Sequence, residues 1–151
     1  MSNADKDIAF QVPVEMQIAF HMARLFPGSS ILPNPPGKVT GKDFTLFRPL
    51  KFEVKCDYAA KTTGNLFFEI FNPYRNIPSG LTATEAWRWI HYVPGHAMAY
   101  CYSPSSMLAW LKWKQFPIFH NCGDNNSDGY LATIQQVSEF PFVKKLENIM
   151  L

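Results

Sequence analysis

The sequence predicts an α+β or mixed-sheet α/β domain. Three observations indicate this class: apolar residues at helical spacing near the N-terminus, strand-like patterns between residues 42 and 72, and mixed helical and strand-like segments after them. The 151 residues suit one domain with one sizeable core. We therefore expect a single domain over 1–151, in which 1–10 form a flexible N-terminus.

The first elements are a helix and three strands. The helical spacing is carried by Val14, Ile18, Met22 and Leu25. It predicts a helix over 13–26, because Pro13 suits a first helical turn and the proline-rich segment 27–38 cannot continue it. The strands are predicted at about 42–47, 51–57 and 65–72.

The second half alternates between helices and strands. A short helix is expected over 82–89, with Thr82 or Thr84 as its N-cap. A second helix over 103–114 is expected to begin at Ser103 as its cap. The remaining predictions are a hairpin of 89–93 and 96–102 around Pro94-Gly95, strands at 116–120 and 130–137, and a short helix in the last dozen residues.

Composition excludes several classes of protein. The chain is 47% hydrophobic and only 17% charged, which is typical of a folded globular domain and not of a disordered one. No apolar run approaches the ~20 residues that a membrane helix needs, so no membrane partner is expected. The three cysteines show no CxxC spacing, and the N-terminal residues lack the order of a secretory signal. We therefore expect a reducing, cytoplasmic location.

An acid-base-acid row fills alternate positions of the strand predicted at 51–57. Glu53, Lys55 and Asp57 must project from one face, since side chains in a strand alternate with a period of two. If the preceding turn centres near Arg48-Pro49, Asp43 lies opposite Val54, between Glu53 and Lys55. Two carboxylates and an ammonium then converge. The alternative is that the row is simply the exposed face of an antiparallel edge strand.

Such a convergence suits a hard divalent cation. Two carboxylates held together repel each other unless a cation lies between them. Mg²⁺ typically takes one or two carboxylates, water and phosphate oxygens as ligands. A lysine beside the metal can orient or deprotonate the attacking water, or offset the charge on a phosphorane. The pattern therefore indicates metal-assisted phosphodiester hydrolysis.

The residues Asp43, Glu53, Val54 and Lys55 resemble the D…(D/E)xK signature of the PD-(D/E)XK nuclease superfamily. Their spacing looks like that of the phage junction-resolving endonucleases. TTGNLFFEI (62–70) and PSGLTATEAWRWIHY (78–92) extend the resemblance to a small group of phage-type nucleases. The position before Asp43 holds Lys42 instead of the proline of the name, which affects only the local backbone. The resemblance implies a restriction-endonuclease-like core, in which helices flank a mixed sheet.

The resemblance also implies roles for these residues. Asp43 and Glu53 would be metal ligands, the Val54 carbonyl would contribute, and Lys55 would be the catalytic lysine. The superfamily often adds an acid from the first helix, for which Glu15 is the candidate. Glu15 also fits a helix N-terminal acid favoured by the macrodipole. The implied cofactor is Mg²⁺, for which Mn²⁺ would substitute. The implied partner is DNA in the cytoplasm, which is that of the host cell if the protein is phage-encoded.

The flanking blocks supply supporting candidates for DNA binding. Gly64 permits a positive φ angle or a close approach of the backbone, and nearby hydroxyls and amides can hold a phosphate. The Ser79-Gly80 pair before a helix resembles an anion-binding turn. Both segments are also compatible with ordinary turns. The supporting set is Asp57, Thr63, Gly64, Asn65, Glu69, Ser79 and Gly80; Lys61, Arg75 and Arg88 are candidates for gripping phosphates.

Two function classes follow. The first is a Mg²⁺-dependent endonuclease that hydrolyses DNA, within which a junction-resolving nuclease predicts a homodimer and a preference for branched DNA. The alternative is a noncatalytic nucleic-acid-binding or assembly protein on the same fold. The two differ in whether bound DNA is cleaved when the metal is supplied.

A polar loop provides a competing signal for calcium. Asp124, Asn126, Asp128 and Gly129 follow the first half of an EF-hand pattern. The twelfth position, however, holds Gln135 where the pattern requires a bidentate glutamate. We therefore predict a hairpin turn in this segment.

Overall fold

The computed structural model describes residues 16–19, 21–22, 24, 31–33, 44–46, 50–96, 98–122 and 126–147. Two β-sheets and short helices form this part of the chain, which confirms the predicted α+β class. No helix among the described residues is both long and apolar enough to cross a membrane.

The first sheet is mixed and has six strands in the order β1-β2-β3-β6-β7-β10. All neighbours are antiparallel except β3 and β6, which run parallel. The bounds are Ile31–Pro33 (β1), Phe44–Leu46 (β2), Leu50–Cys56 (β3), Arg88–Val93 (β6), Met98–Tyr102 (β7) and Lys144–Glu147 (β10).

The second sheet is antiparallel and has four strands in the order β5-β4-β9-β8. Its strands are Asn65–Asn72 (β4), Ile77–Pro78 (β5), Ile118–Cys122 (β8) and Ser127–Thr133 (β9). The chain passes from the first sheet to the second directly after β3 and returns at β6. The parallel β3–β6 pair is therefore linked by strands of the second sheet.

Four helical segments complete the described chain. Residues 16–19, 21–22 and 24 are helical (α1), and α2 (Ala60–Thr63), α3 (Pro104–Trp113) and α4 (Ile134–Ser138) follow. A short 3-10 helix covers Gly80–Thr82. As predicted, α3 begins after Ser103, whose hydroxyl accepts the backbone N–H of Ser106, and has proline at its first position.

Each face of the first sheet covers a separate apolar core. The outer face, which includes Phe52, Val54 and Ile90, packs against Ile18 and Met22 of α1. The inner face packs against the second sheet and α3 through Trp89, Val93, Tyr100, Tyr102, Leu66, Phe68 and Met107. The inner face of β3 is therefore turned towards protein.

Three of the predicted elements differ in the structure. The helix expected over 82–89 does not form, because its first residue ends the 3-10 helix and its last two belong to β6. The strand expected over 130–137 ends at Thr133, where a capping box of Thr133 and Gln136 starts α4. In the described part of the expected C-terminal helix, Lys144–Glu147 form β10, which pairs with β7. The hairpins β6–β7 and β8–β9 form as predicted.

Candidate functional site

The strand that carries Glu53 and Lys55 lies inside the first sheet. β3 pairs with β2 on one side and with β6 on the other. The interpretation of the row as the face of an edge strand is therefore wrong. Phe52 and Val54 point into the outer core, so Glu53 and Lys55 belong to the inner face.

Glu53 is half-buried on this inner face. Its Cα partner across the parallel register is Trp89, whose side chain is 6% exposed. One carboxylate oxygen of Glu53 is shielded from solvent. The neighbouring Val54 buries its side chain in the outer core, and its predicted contribution as a ligand concerns the backbone carbonyl alone.

Lys55 reaches from β3 to the second sheet. Its Nζ atom lies 5.3 Å from the centre of the Phe67 ring, within the range of a cation–π contact. Lys55 and Phe67 line one cavity of about 450 Å³. The ammonium therefore reaches an open space and remains supported by an aromatic face.

Several of the predicted supporting residues meet at this cavity. The predicted supporting residues that line it are Asp57, Thr63 and Asn65. Tyr58 and Cys122, which were not predicted, also line it. The Thr63 hydroxyl donates to the carbonyl of Ala59 at 2.9 Å and accepts the N–H of Asn65 at 3.2 Å. The structure thus brings Lys55 and the polar link between β3 and β4 to one place.

Asp57 fixes the turn that forms this cavity. The residue is buried, and its Oδ1 accepts the N–H of Ala60 at 3.1 Å. Its Oδ2 accepts the N–H of Phe67 at 3.2 Å. Both carboxylate oxygens therefore bind backbone donors, and Asp57 joins the end of β3, the start of α2 and β4.

Gly64 closes α2 in a left-handed conformation, with φ of 69°. Its N–H donates to the carbonyl of Ala60, and its own carbonyl accepts the N–H of Ile134 at 2.8 Å. The glycine lets the chain reverse after one helical turn and start β4. The TGN segment is therefore also a structural link between α2, β4 and α4.

Glu69, Ser79 and Gly80 lie apart from the Lys55 cavity. Glu69 and Ser79 line a different cavity of about 400 Å³ with Asn72 and Arg75. A Cβ atom at Gly80 would lie 2.3 Å from the Glu69 carbonyl oxygen, so this position requires glycine for close packing. The helix that follows Ser79 has only three residues.

Two of the predicted ligands, Asp43 and Glu15, lie outside the described residues. The β2–β3 register pairs Phe44 with Phe52 and Leu46 with Leu50. It differs by one residue from the expected arrangement, in which Phe44 would face Glu53, because the intervening connection has three residues. Within the described ranges, no three His, Cys, Asp or Glu side chains cluster closely enough to hold a metal ion.

His91, the inner-face neighbour of Lys55, was not predicted from the sequence. His91 is the Cα partner of Lys55 in the parallel β3–β6 register and is fully buried. Its Nδ1 atom shares a hydrogen bond of 2.7 Å with the hydroxyl of Tyr102. Burial, and then the charge of Lys55, lower the pKa of His91 well below its usual value. The only sequence signal was a histidine inside the otherwise aromatic and aliphatic run WIHYV.

The polar loop between β8 and β9 has internal partners. Asp128 accepts hydrogen bonds from His120 Nδ1 at 3.0 Å and from the N–H of Asn121 at 3.1 Å. The hydrogen bond from His120 is the main cause that lowers the pKa of Asp128. These contacts belong to the predicted hairpin, in which Asp128 closes the strand pair.

Comparison with known proteins finds no family model that matches this chain and no curated protein with a significant match.

Proposed function

We propose that this chain is a Mg²⁺-dependent endonuclease that hydrolyses phosphodiester bonds of DNA. The observation that carries the proposal is the placement of Glu53 and Lys55 side by side on the inner face of β3, with Lys55 reaching a cavity. The mixed first sheet, with α1 on its outer face, supports a restriction-endonuclease-like core. The inner face is covered by a second sheet and α3 in place of the expected helical layer alone.

The donor chemistry of this region fits a hard cation. Glu53 offers a half-buried carboxylate, and Val54 offers a backbone carbonyl on the same strand. Asp43 and Glu15 would complete the ligand set. Asp57 is less suited to this role, because both of its carboxylate oxygens already accept backbone N–H groups. Bound Mg²⁺, or Mn²⁺ in its place, would polarise the phosphoryl group and make the attacking water more acidic.

Lys55 would act on the water or on the phosphate. Lys55 lines the cavity, and its ammonium lies 5.3 Å from the centre of the Phe67 ring. From there it can orient a nucleophile, or offset the negative charge that grows on the phosphoryl oxygens. Its role is thus electrostatic and positional, with Glu53 two positions earlier on the same face.

Cationic side chains outside the Lys55 cavity would hold the DNA backbone. Lys61 and Arg75 are exposed, and the Arg88 guanidinium lies 3.9 Å from the centre of the Trp87 ring. Such contacts with phosphates are independent of sequence. The protein would bind and cleave DNA in the cytoplasm. If the protein is phage-encoded, this is the cytoplasm of the host cell.

The test is a cleavage assay with linear and four-way-junction DNA in Mg²⁺, Mn²⁺ or EDTA. We expect cleavage by the wild type with either metal and none in EDTA. Glu53→Ala and Lys55→Ala should abolish it, while the exposed controls Glu139→Ala and Lys112→Ala should not. Cleavage retained in both site variants would refute the proposal. DNA retention in a gel shift without any metal-dependent cleavage would favour the noncatalytic alternative, and a preference for junctions by a dimer would indicate a resolvase.

A further inference from the structure

His91 is an ionisable residue in an otherwise aromatic and apolar interior. Its ring packs edge-on against Phe68, with ring centres 5.1 Å apart, and against Trp89 at 6.2 Å. One nitrogen is engaged with the Tyr102 hydroxyl. The other, Nε2, is buried and has no hydrogen-bonding partner among the described residues. A buried polar atom without a protein partner lowers stability, and an apolar ring would fill the same space without that cost.

His91, whose buried nitrogen lowers stability, lies directly beside the proposed reaction centre. His91 and Lys55 are Cα partners on the inner face of adjacent strands. Consecutive residues of β4 hold the two side chains: Phe68 packs on His91, and Phe67 supports the Lys55 ammonium. The space on the inner face next to Lys55 is thus occupied by a ring that Tyr102 holds in place. Departures from good local packing tend to occur at functional sites.

We propose that His91, held by Tyr102, is a positioning residue for Lys55. The inference rests on the proposed nuclease function. The imidazole fills the inner-face space beside Lys55 and directs the ammonium past β4 towards the cavity. It also places a polar ring next to the Lys55 ammonium. A phenylalanine at this position would place an apolar ring there. The burial that keeps the imidazole neutral prevents repulsion between the two side chains.

The decisive variant is the double substitution H91F/Y102F, which removes both polar partners together and keeps the ring volumes. The matched control is Tyr92→Phe, a buried tyrosine on β6 whose side chain packs in the outer core. We expect the double variant to melt no lower than the control. Its kcat for DNA cleavage should fall by roughly 10- to 100-fold, as when a reacting group is misplaced by an ångström. KM should change by less than about twofold, because substrate binding is not altered. His91→Gln, which keeps a polar side chain, should recover part of the loss.

A double variant that folds and keeps kcat within about twofold of wild type would overturn the inference. If the double variant does not fold, kcat and KM are measured for Tyr102→Phe and His91→Gln. A lower kcat with KM nearly unchanged supports the inference, and an unchanged kcat in both variants overturns it.

A second readout is independent of cleavage. Reductive ¹³C-methylation of the lysines gives NMR signals, among which Lys55 is assigned with Lys55→Arg. Removal of the imidazole should shift the Lys55 signal, while Tyr92→Phe should leave it in place. If the wild type cleaves no DNA, the proposed function fails. The NMR signal of Lys55 then decides by itself whether His91 positions Lys55. An unchanged Lys55 signal in the His91 variants would contradict that role.

Discussion

The carboxylate of Asp57 accepts the backbone N–H of Phe67 at 3.2 Å and so ties the end of β3 to the second sheet. The same carboxylate accepts the N–H of Ala60 at the start of α2. Phe67 in turn supports the Lys55 ammonium. Asp57 therefore shapes the site through the backbone, although it carries the same charge as the proposed ligands.

Asp57→Asn should mainly destabilise the protein. The amide keeps one acceptor oxygen but turns an N–H₂ group towards a backbone donor, and a buried donor left unpaired costs about 1–3 kcal/mol. We expect the free energy of unfolding, measured by urea denaturation, to fall by about that amount, and cleavage to persist at temperatures where the variant is folded. Wild-type stability combined with abolished cleavage would instead identify Asp57 as a catalytic group.

Two of the left-handed glycines, Gly64 and Gly80, should respond differently to alanine. Gly64 has φ of 69° and no atom within 4 Å of an added Cβ, so Gly64→Ala introduces only the conformational penalty of about 1–2 kcal/mol. Gly80 has φ of 51°, and its added Cβ would lie 2.3 Å from the Glu69 carbonyl oxygen. Gly80→Ala should therefore lower the free energy of unfolding more than Gly64→Ala does. The opposite order in urea denaturation would show that the Gly80–Glu69 packing is looser than described.

Burial of His91 makes stability dependent on pH. Its pKa in the folded chain is well below the usual value, so an unfolded chain binds a proton near pH 6.5 that the folded chain does not. The free energy of unfolding should thus fall as pH decreases below 6.5, by up to about 1.4 kcal/mol per pH unit from this residue. Urea denaturation between pH 7.5 and 5.5 measures the slope. H91F/Y102F should lose this contribution, and an identical slope in both proteins would contradict the burial of a neutral imidazole.

The cysteines should differ in reactivity. Burial raises the pKa of the Cys101 thiol to about 11, while Cys122 is half-buried and lines the Lys55 cavity. Because the thiolate is the reactive species, iodoacetamide at pH 8 should label Cys122 well before Cys101. Mass spectrometry of the peptides gives the rates, and urea should abolish the difference. Equal rates in the native protein would contradict the buried position of Cys101.

Local sequence patterns predicted those elements whose determinants are local. β4 occupies Asn65–Asn72, where the apolar run from Leu66 to Ile70 predicted a strand, and α3 begins after its Ser103 cap. The early end of β9 was also encoded locally, in the T-x-x-Q capping box of Thr133 and Gln136.

The remaining features depend on contacts between distant residues. β10 is a strand because its residues pair with β7, more than forty positions earlier, and no local pattern carries that information. The separation of β3 and β4 into two sheets follows from the α2 turn and the Asp57 bonds. The second sheet then covers the inner face of the first, on which Glu53 and Lys55 lie. In the sequence, His91 is one residue of a buried strand, so its relation to Lys55 emerges only from the parallel register.

The proposed function requires Glu53 to belong to a metal-dependent reaction centre beside Lys55. The most direct measurement is anomalous scattering from crystals of the wild type and Glu53→Ala soaked in Mn²⁺. We predict a Mn²⁺ ion in the wild type with carboxylate oxygens of Glu53 and Asp43 at about 2.1 Å, and loss of that ion in Glu53→Ala. Absence of an ion at Glu53 in the wild-type crystals, or persistence of the ion in the Glu53→Ala crystals, would contradict this role of Glu53.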